Sequence, residues 1–346
     1  MWAIRNETRY AAERSFVRNR DGAELWIVVV RATFDIKREG PPEPAAIQPA
    51  VVRAPLFIGA PATTSLRYDS DFVRTKLGTD VVLHGCAYAP GRRPAERVDV
   101  SVLIGNISKS LVVHGQRRWQ ARSGGLVPGP ALPFLFKTID YEAALGGPLA
   151  DGESAPRDPA NPSGVGRIAR AGAQAPSIEL RDDPVASPTS ANGPAGLGPI
   201  PCHWLARARL AGTYDAAWQR DRQPLVPDDF QDTYFQCAPT DQRAPGFLRG
   251  GEQVILRNLT PDGELRFQLP RLSIGFRTRI AGSTVDHRGQ LHTVIIEPDT
   301  LRLIMVWHTA LPCHHTLYTL KETVVFEKER IAGEGARTRR EPLSAT

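Results

Sequence analysis

Leu25-Trp26-Ile27-Val28-Val29-Val30-Arg31-Ala32-Thr33-Phe34 decides the fold class of this 346-residue chain. Ten residues rich in β-branched side chains lie between the turn signal Asp21-Gly22 and the breaker Gly40-Pro41-Pro42. A run of that length and composition is a strand buried on both faces, since a helix would need more length and a 3.6-residue period. Outward from it, Val51–Ile58, Val81–Tyr88, Val98–Ile104 and Lys109–Trp119 read as further strands. Pro90-Gly91-Arg92-Arg93-Pro94 forms the turn between the second and third of these. Val98, Val100 and Val102 alternate with Asp99 and Ser101, the period-2 pattern of a half-exposed strand. Strands at short spacing with turn punctuation predict an antiparallel sandwich or barrel over residues 1–145.

Glycine and proline, 30 of each, concentrate between Gly146 and Pro201. Such a stretch cannot hold long regular elements, so it reads as a connector packed in part on the body. Ile178 and Leu180 form a short edge strand or apolar anchor within it. Helix is expected only from Cys202 to Arg222. There Trp204, Leu205 and Ala208 share a face, and Thr213 is placed to cap a second helix carrying Tyr214, Ala217 and Trp218. Strands resume at Gln253–Leu259 and Leu265–Leu269, a hairpin around Pro261-Asp262-Gly263. Leu272–Ile280, Leu291–Glu297 and Leu301–Thr309 follow, the last two joined by Pro298-Asp299-Thr300. Leu317–Glu327 closes the series. The expected architecture is mainly β: two antiparallel, sandwich- or barrel-like halves (1–145 and 202–330), the connector 146–201, short helices near 203–222, and a flexible tail 331–346.

Bulk properties narrow the function. Hydrophobic content of 41% with 23% charged residues is ordinary for a globular chain. The formal net charge of +6 is spread rather than blocked, which argues against a nucleic-acid reader. No window approaches the ~18 apolar residues of a spanning helix, and the beginning lacks the apolar core of a secretory leader. Cys86, Cys202, Cys237 and Cys313 are scattered, as free thiols in a reducing cytoplasm would be.

Three chemistries can be weighed. Cys202-His203 and Cys313-His314-His315 put metal ligands together, but adjacent residues on a strand point apart and the spacing is not that of a zinc site. Neither metal nor cofactor is therefore expected. His84 and Cys86 share a strand face, a weak thiol–base arrangement. Asp228, Asp229 and Asp232, like Asp182 and Asp183, could serve acid–base hydrolysis, yet Asp beside proline more often caps or turns. Trp26 and Trp307 read as core. Tyr214, Trp218, Phe230 and Phe247, with Arg220 and Asp229 as polar rim, read as anchors on a contact surface.

Five blocks recur in order. They are Asn6, Thr8 and Tyr10–Arg14 with Asp21–Phe34; Thr79–Gly85 with Ala87–Gly91; Ile104-Gly105 through Lys109 to Gly115 and Trp119; Tyr141–Gly147 with Asn161-Pro162 and Gly164; and Ala211–Gln242. Over roughly residues 2 to 310 they resemble an uncharacterised-domain family of bacterial proteins encoded beside type VI secretion spike genes. The resemblance implies a non-enzymatic adaptor or chaperone that holds an effector, often one with a PAAR tip domain, and loads it onto the VgrG spike. Its partners would be proteins, with neither nucleic acid nor membrane involved. A hydrolase working through the Asp228–Asp232 carboxylates, or a structural component of the secretion particle, stand as alternatives.

Overall fold

The strand Glu24–Asp35 is the spine of a computed structural model that describes residues 2–313 and 315–328. From Trp26 to Phe34 no residue is more than 2% exposed, so both faces of this antiparallel strand are covered. It pairs with Ala11–Arg18 on one side and with Arg302–Pro312 on the other. Gln290–Glu297 and Asp80–Leu83 extend the same sheet, the last pair being parallel. Its inward residues Trp26, Val28, Val30, Ala32 and Phe34 meet Val98, Val100, Val102, Leu111 and Val254 in one continuous core.

Those partners belong to a second sheet, ordered Ile178–Leu180, Ile107–His114, Arg97–Ile104, Gln253–Arg257 and Glu264–Gln268. A third sheet sets Ala3–Asn6 parallel beside Glu322–Glu327, followed by Ile274–Ile280 and Ser283–Arg288. It joins the same core through Ile274, Phe276 and Val325. The Trp26 indole N–H also donates to the Thr323 hydroxyl at 2.8 Å, tying the third sheet to the first. The fold is mainly β with several antiparallel sheets and no closed barrel.

The stretches 1–145 and 202–330 do not make separate sheets. Each of the three sheets takes strands from both, because the longest apolar strand finds its widest complement near residue 307 and not beside itself. Other expectations need local revision. Val51–Ile58 is mostly irregular: Val51 and Val52 are buried, but only Leu56–Phe57 pairs. Val81–Tyr88 breaks at His84-Gly85, and Lys109–Trp119 breaks at Gly115-Gln116 into two strands on different sheets. Strands Ala11–Arg18 and Ser283–Arg288 went unread, and Leu317–Thr319 is a 3₁₀ turn ahead of the closing strand. The tail 331–346 lies outside the described residues.

Residues 146–201 fold onto the body. Ile178 is fully buried and Ile178–Leu180 forms the edge strand of the second sheet. Glu179 binds Arg117 at 2.9 Å and His114 at 2.8 Å; burial pushes its pKa up, but these partners outweigh that and hold it at about 2. The Trp119 indole donates to the Gly166 carbonyl, and the Asn161 amide donates to the carbonyls of Tyr141 and Leu145. At Gly147, with φ of +83°, a Cβ would lie 2.0 Å from the Gly164 carbonyl oxygen, so only glycine fits.

The second face of the spine sheet is covered by irregular chain. On this face Ile27, Val29, Val82, Ile295, Ile304 and Val306 of the sheet cluster with Val51 and Ala238 of the cover. Beside this small apolar patch lies a row of buried ion pairs sent out by one segment, Asp69 to Lys76. Asp69 pairs with Arg207 at 2.7 Å, Asp71 with Arg31 at 3.0 Å, Arg74 with Asp232 at 2.5 Å and Lys76 with Asp80 at 2.6 Å. Burial lowers the Lys76 pKa, but the Asp80 carboxylate more than offsets it and keeps the ammonium charged. Asp80 is fully buried and also accepts the Cys237 amide N–H.

Removing one partner of such a pair leaves an isolated charge in the interior. Lys76→Met is therefore expected to lose about 3–5 kcal/mol of unfolding free energy. Lys76→Met/Asp80→Asn, which keeps an acceptor for Cys237, should recover most of that loss in urea titrations. Equal destabilisation of single and double variants would contradict this account.

The same face holds stacked histidines. His292 lies 4.2 Å from His308, ring centre to ring centre, and burial is the main reason both pKa values fall, that of His308 to about 4. Burial also holds His84 at about 3. Neutral in the fold and protonated when unfolded, these rings contribute stability that is complete above about pH 6.5 and is lost as pH falls toward 4. One such ring accounts for roughly 2 kcal/mol between pH 6.5 and pH 5. The urea midpoint should therefore fall from pH 7 to pH 5, with a shallower fall in His308→Gln; a flat profile in the parent chain would contradict it.

Candidate partner-binding surface

Residues Ala211 to Asp229 stand off the spine sheet as a small lobe. Thr213 does not cap the second helix. Asp215, two residues further on, does, accepting the Trp218 amide at 2.8 Å and starting Ala216–Asp221. The first helix, Leu205–Ala208, is a single turn. Thr213 instead donates both its amide, at 2.9 Å, and its hydroxyl, at 2.8 Å, to Asp229. Gly212 makes that clasp possible: its φ is +82°, and a Cβ there would lie 2.7 Å from the Asp229 carboxylate oxygen.

The lobe rests on the turn that precedes the spine. The Arg20 guanidinium donates to the Asp228 carbonyl at 2.6 Å, Arg222 donates to the Arg20 carbonyl at 3.0 Å, and the Leu225 side chain covers Gly22. The Trp218 indole donates to the Leu225 carbonyl at 2.7 Å, across the cis peptide Gln223–Pro224. These bonds run mostly from side chain to backbone, so they fix the path of the lobe and leave its outward side chains free.

The six residues expected at a contact surface fall into three places. Tyr214, Trp218, Arg220 and Asp229 are on the lobe. Tyr214 is 55% exposed and meets the half-buried Trp218 edge-to-face, with centroids 4.7 Å apart. Arg220 is exposed and pairs with its neighbour Asp221 at 2.8 Å. Phe230, by contrast, is 6% exposed. It packs against Tyr234 and Phe235 with the Arg74 guanidinium over its ring, and so joins the lobe to the row of buried charges. Phe247 lies elsewhere, half-buried and stacked on His292 at 5.6 Å.

A hollow of about 270 Å³ opens beside Trp218, lined by Asp215, Asp221, Asp228 and Asp229 with Arg222 as its cation. The carboxylates proposed for acid–base work are each engaged otherwise. Asp229 is held below the usual carboxylate range by the Thr213 amide and hydroxyl, Asp228 pairs with Arg222 at 3.0 Å, and Asp232 pairs with Arg74. Asp228 and Asp229 are exposed and Asp232 lies beside a guanidinium, so none of the three sits in apolar surroundings.

The thiol–base arrangement is likewise unfavourable. Burial and Asp299 push the Cys86 thiol up to about 11, while His84 is kept neutral. Both shifts oppose thiolate formation. Among the described residues no three His, Cys, Asp or Glu side chains converge as metal ligands. His203 faces the Phe57 ring, and His314 lies outside the described residues. Sequence reasoning missed the charged segment itself, although Asp69-Ser70-Asp71-Phe72-Val73-Arg74-Thr75-Lys76 carries a legible signal in its paired acids and paired bases.

Residues 21–308 match the bacterial family described as "Uncharacterized protein conserved in bacteria (DUF2169)", and the chain belongs to that family. No curated protein and no solved structure matches it. No helix of the described residues is long and apolar enough to cross a membrane.

The two environments separate two aromatic roles by measurement. Phe230→Ala should cost roughly 3–5 kcal/mol of stability, as a buried ring does. Tyr214→Ala should cost under about 0.5 kcal/mol, as an exposed one does. Similar melting shifts for the two variants would contradict the placement of the lobe.

Proposed function

We propose that this member of the DUF2169 family is a non-enzymatic adaptor of bacterial type VI secretion, binding an effector in the cytoplasm and helping to load it onto the VgrG spike. The observation that carries the reading is the exposed Tyr214 set against the half-buried Trp218 beside an acidic hollow, held on a lobe whose backbone is fixed to the body. Interfaces draw their energy from a few aromatic anchors surrounded by polar groups, and a rigid platform lowers the ordering cost of presenting them. An adaptor must also release its cargo, which suits a compact anchor better than a deep cleft. The carboxylates of the same region are engaged in holding the lobe together, and this weighs against the hydrolytic alternative.

The test is co-purification of the effector and the spike protein encoded beside this chain. Tyr214→Ala/Trp218→Ala, verified as folded by its melting curve, should reduce recovery of the effector roughly tenfold or more. Undiminished recovery would remove the lobe from the interface. Stoichiometric retention of the chain in assembled, sedimented spikes would instead favour a structural component.

A further inference from the structure

We infer that a second surface, a basic groove at the edge of the third sheet, takes an acidic peptide segment of the partner protein. Two hollows of about 710 Å³ and 530 Å³ share Arg249, Leu272 and Ser273 and so form one continuous depression. Four cations line it: Arg249 and Arg271 from the loops flanking the second sheet, Arg288 at the end of one strand, and Lys328 after the last. Among the described residues none of the four side-chain cations forms an ion pair, although the Glu252 carboxylate accepts the Arg249 backbone N–H at 2.9 Å. The contrast is local. On neighbouring strands of the same sheet, Arg277 pairs with Asp286 at 2.8 Å and Arg279 pairs with Glu322. Glu327 is the acid among the residues that line the groove, and Asp286 interacts electrostatically with Lys328 at its margin.

Phe247, Leu272 and Trp307 add apolar surface between the cations in a lining of mixed character. Phe247 is braced from behind by the His292–His308 stack, so it cannot retreat inward. Cations at separate points with apolar surface between them match a segment in which carboxylates alternate with aliphatic or aromatic side chains. Arginine binds carboxylates through paired N–H donors, and that surface adds buried apolar area. A nucleic-acid strand would instead need exposed rings on which bases stack, whereas Trp307 is 4% exposed and Phe247 is half-buried and already stacked on His292. The inference takes the source of the peptide from the adaptor reading. Its charge and shape argument stands on the groove alone.

Fluorescence anisotropy with the full chain tests it, using a labelled peptide of about twelve residues that alternates Glu with Leu. Saturable binding is expected, weakening several-fold between about 50 mM and about 300 mM salt. Arg249→Gln/Arg288→Gln, both exposed positions, should weaken it roughly tenfold or more. Arg257→Gln/Arg266→Gln, toward the turn of the Gln253–Gln268 hairpin and both paired with Glu264, should leave it unchanged. Equal binding by the groove variant, equal binding of a Lys–Leu peptide, or tighter binding of a single-stranded oligonucleotide would each overturn the assignment. Binding that appears only when the chain is cut after Lys328 would assign the groove to this chain's own end and overturn it as well. Loss of groove binding with effector capture through Tyr214 and Trp218 intact would sink this inference alone; the opposite pattern would sink only the lobe.

Discussion

The row of ion pairs sent out by Asp69, Asp71, Arg74 and Lys76 is the constraint on which the rest of the molecule depends. An antiparallel sheet buried on both faces needs a cover on each side, and on one side here the cover is chain without regular structure. Irregular chain carries backbone groups that must find partners, so it cannot pack as a purely apolar layer. Arg31 and Asp80 in the sheet, both 2% exposed or less, receive the cover as charges received by charges. Such pairs contribute little net stability against a well-packed apolar alternative, but they penalise every wrong register heavily. Order in the cover comes from that selectivity.

That row also explains where the candidate surface stands. Arg207 holds the first helical turn by bonding Asp69 and the carbonyls of Ile200 and Tyr234. Arg74 lies over Phe230 and Phe235 and pairs with Asp232. The lobe therefore grows from a rigid root, and its outermost residues are the ones with least structural work: Tyr214, Arg220 and one face of Trp218. The density of large residues between Ala211 and Gln242 reflects two tasks in one stretch, an outer half that presents and an inner half that anchors.

How much of this could be read from residues alone varies with the range of the interaction. Leu25–Phe34 was legible because burial on both faces removes alternation, and the Pro261-Asp262-Gly263 hairpin because its turn chemistry is local. Ile178 was legible as an apolar residue stranded among turn formers. Ala11–Arg18 was not, since an edge strand with every inner residue only half-buried shows no clean period. Val51 and Val52 mimicked a strand because burial without pairing has the same composition. Phe230 and Tyr214 have similar sequence surroundings, and only the distant Arg74, more than 150 positions earlier, makes one of them core. Asp215 outcompeted Thr213 as a cap for a reason equally invisible locally, namely that Thr213 was already committed to Asp229.

The sharing of sheets between the two ends of the chain has a consequence for the protein's birth. Leu25 pairs with Pro312 and Trp26 with Leu311, so the spine strand waits for almost the whole chain before its longest partner exists. At about 5–20 residues per second, synthesis of the intervening stretch takes on the order of 15–60 s. Throughout that interval the partners available to Leu25–Phe34 are Ala11–Arg18 and the short Glu43–Pro44. Ribosome pausing late in the message, or a holdase that shields residues 25–34, would therefore act on the yield of this protein more strongly than any change to its finished surface.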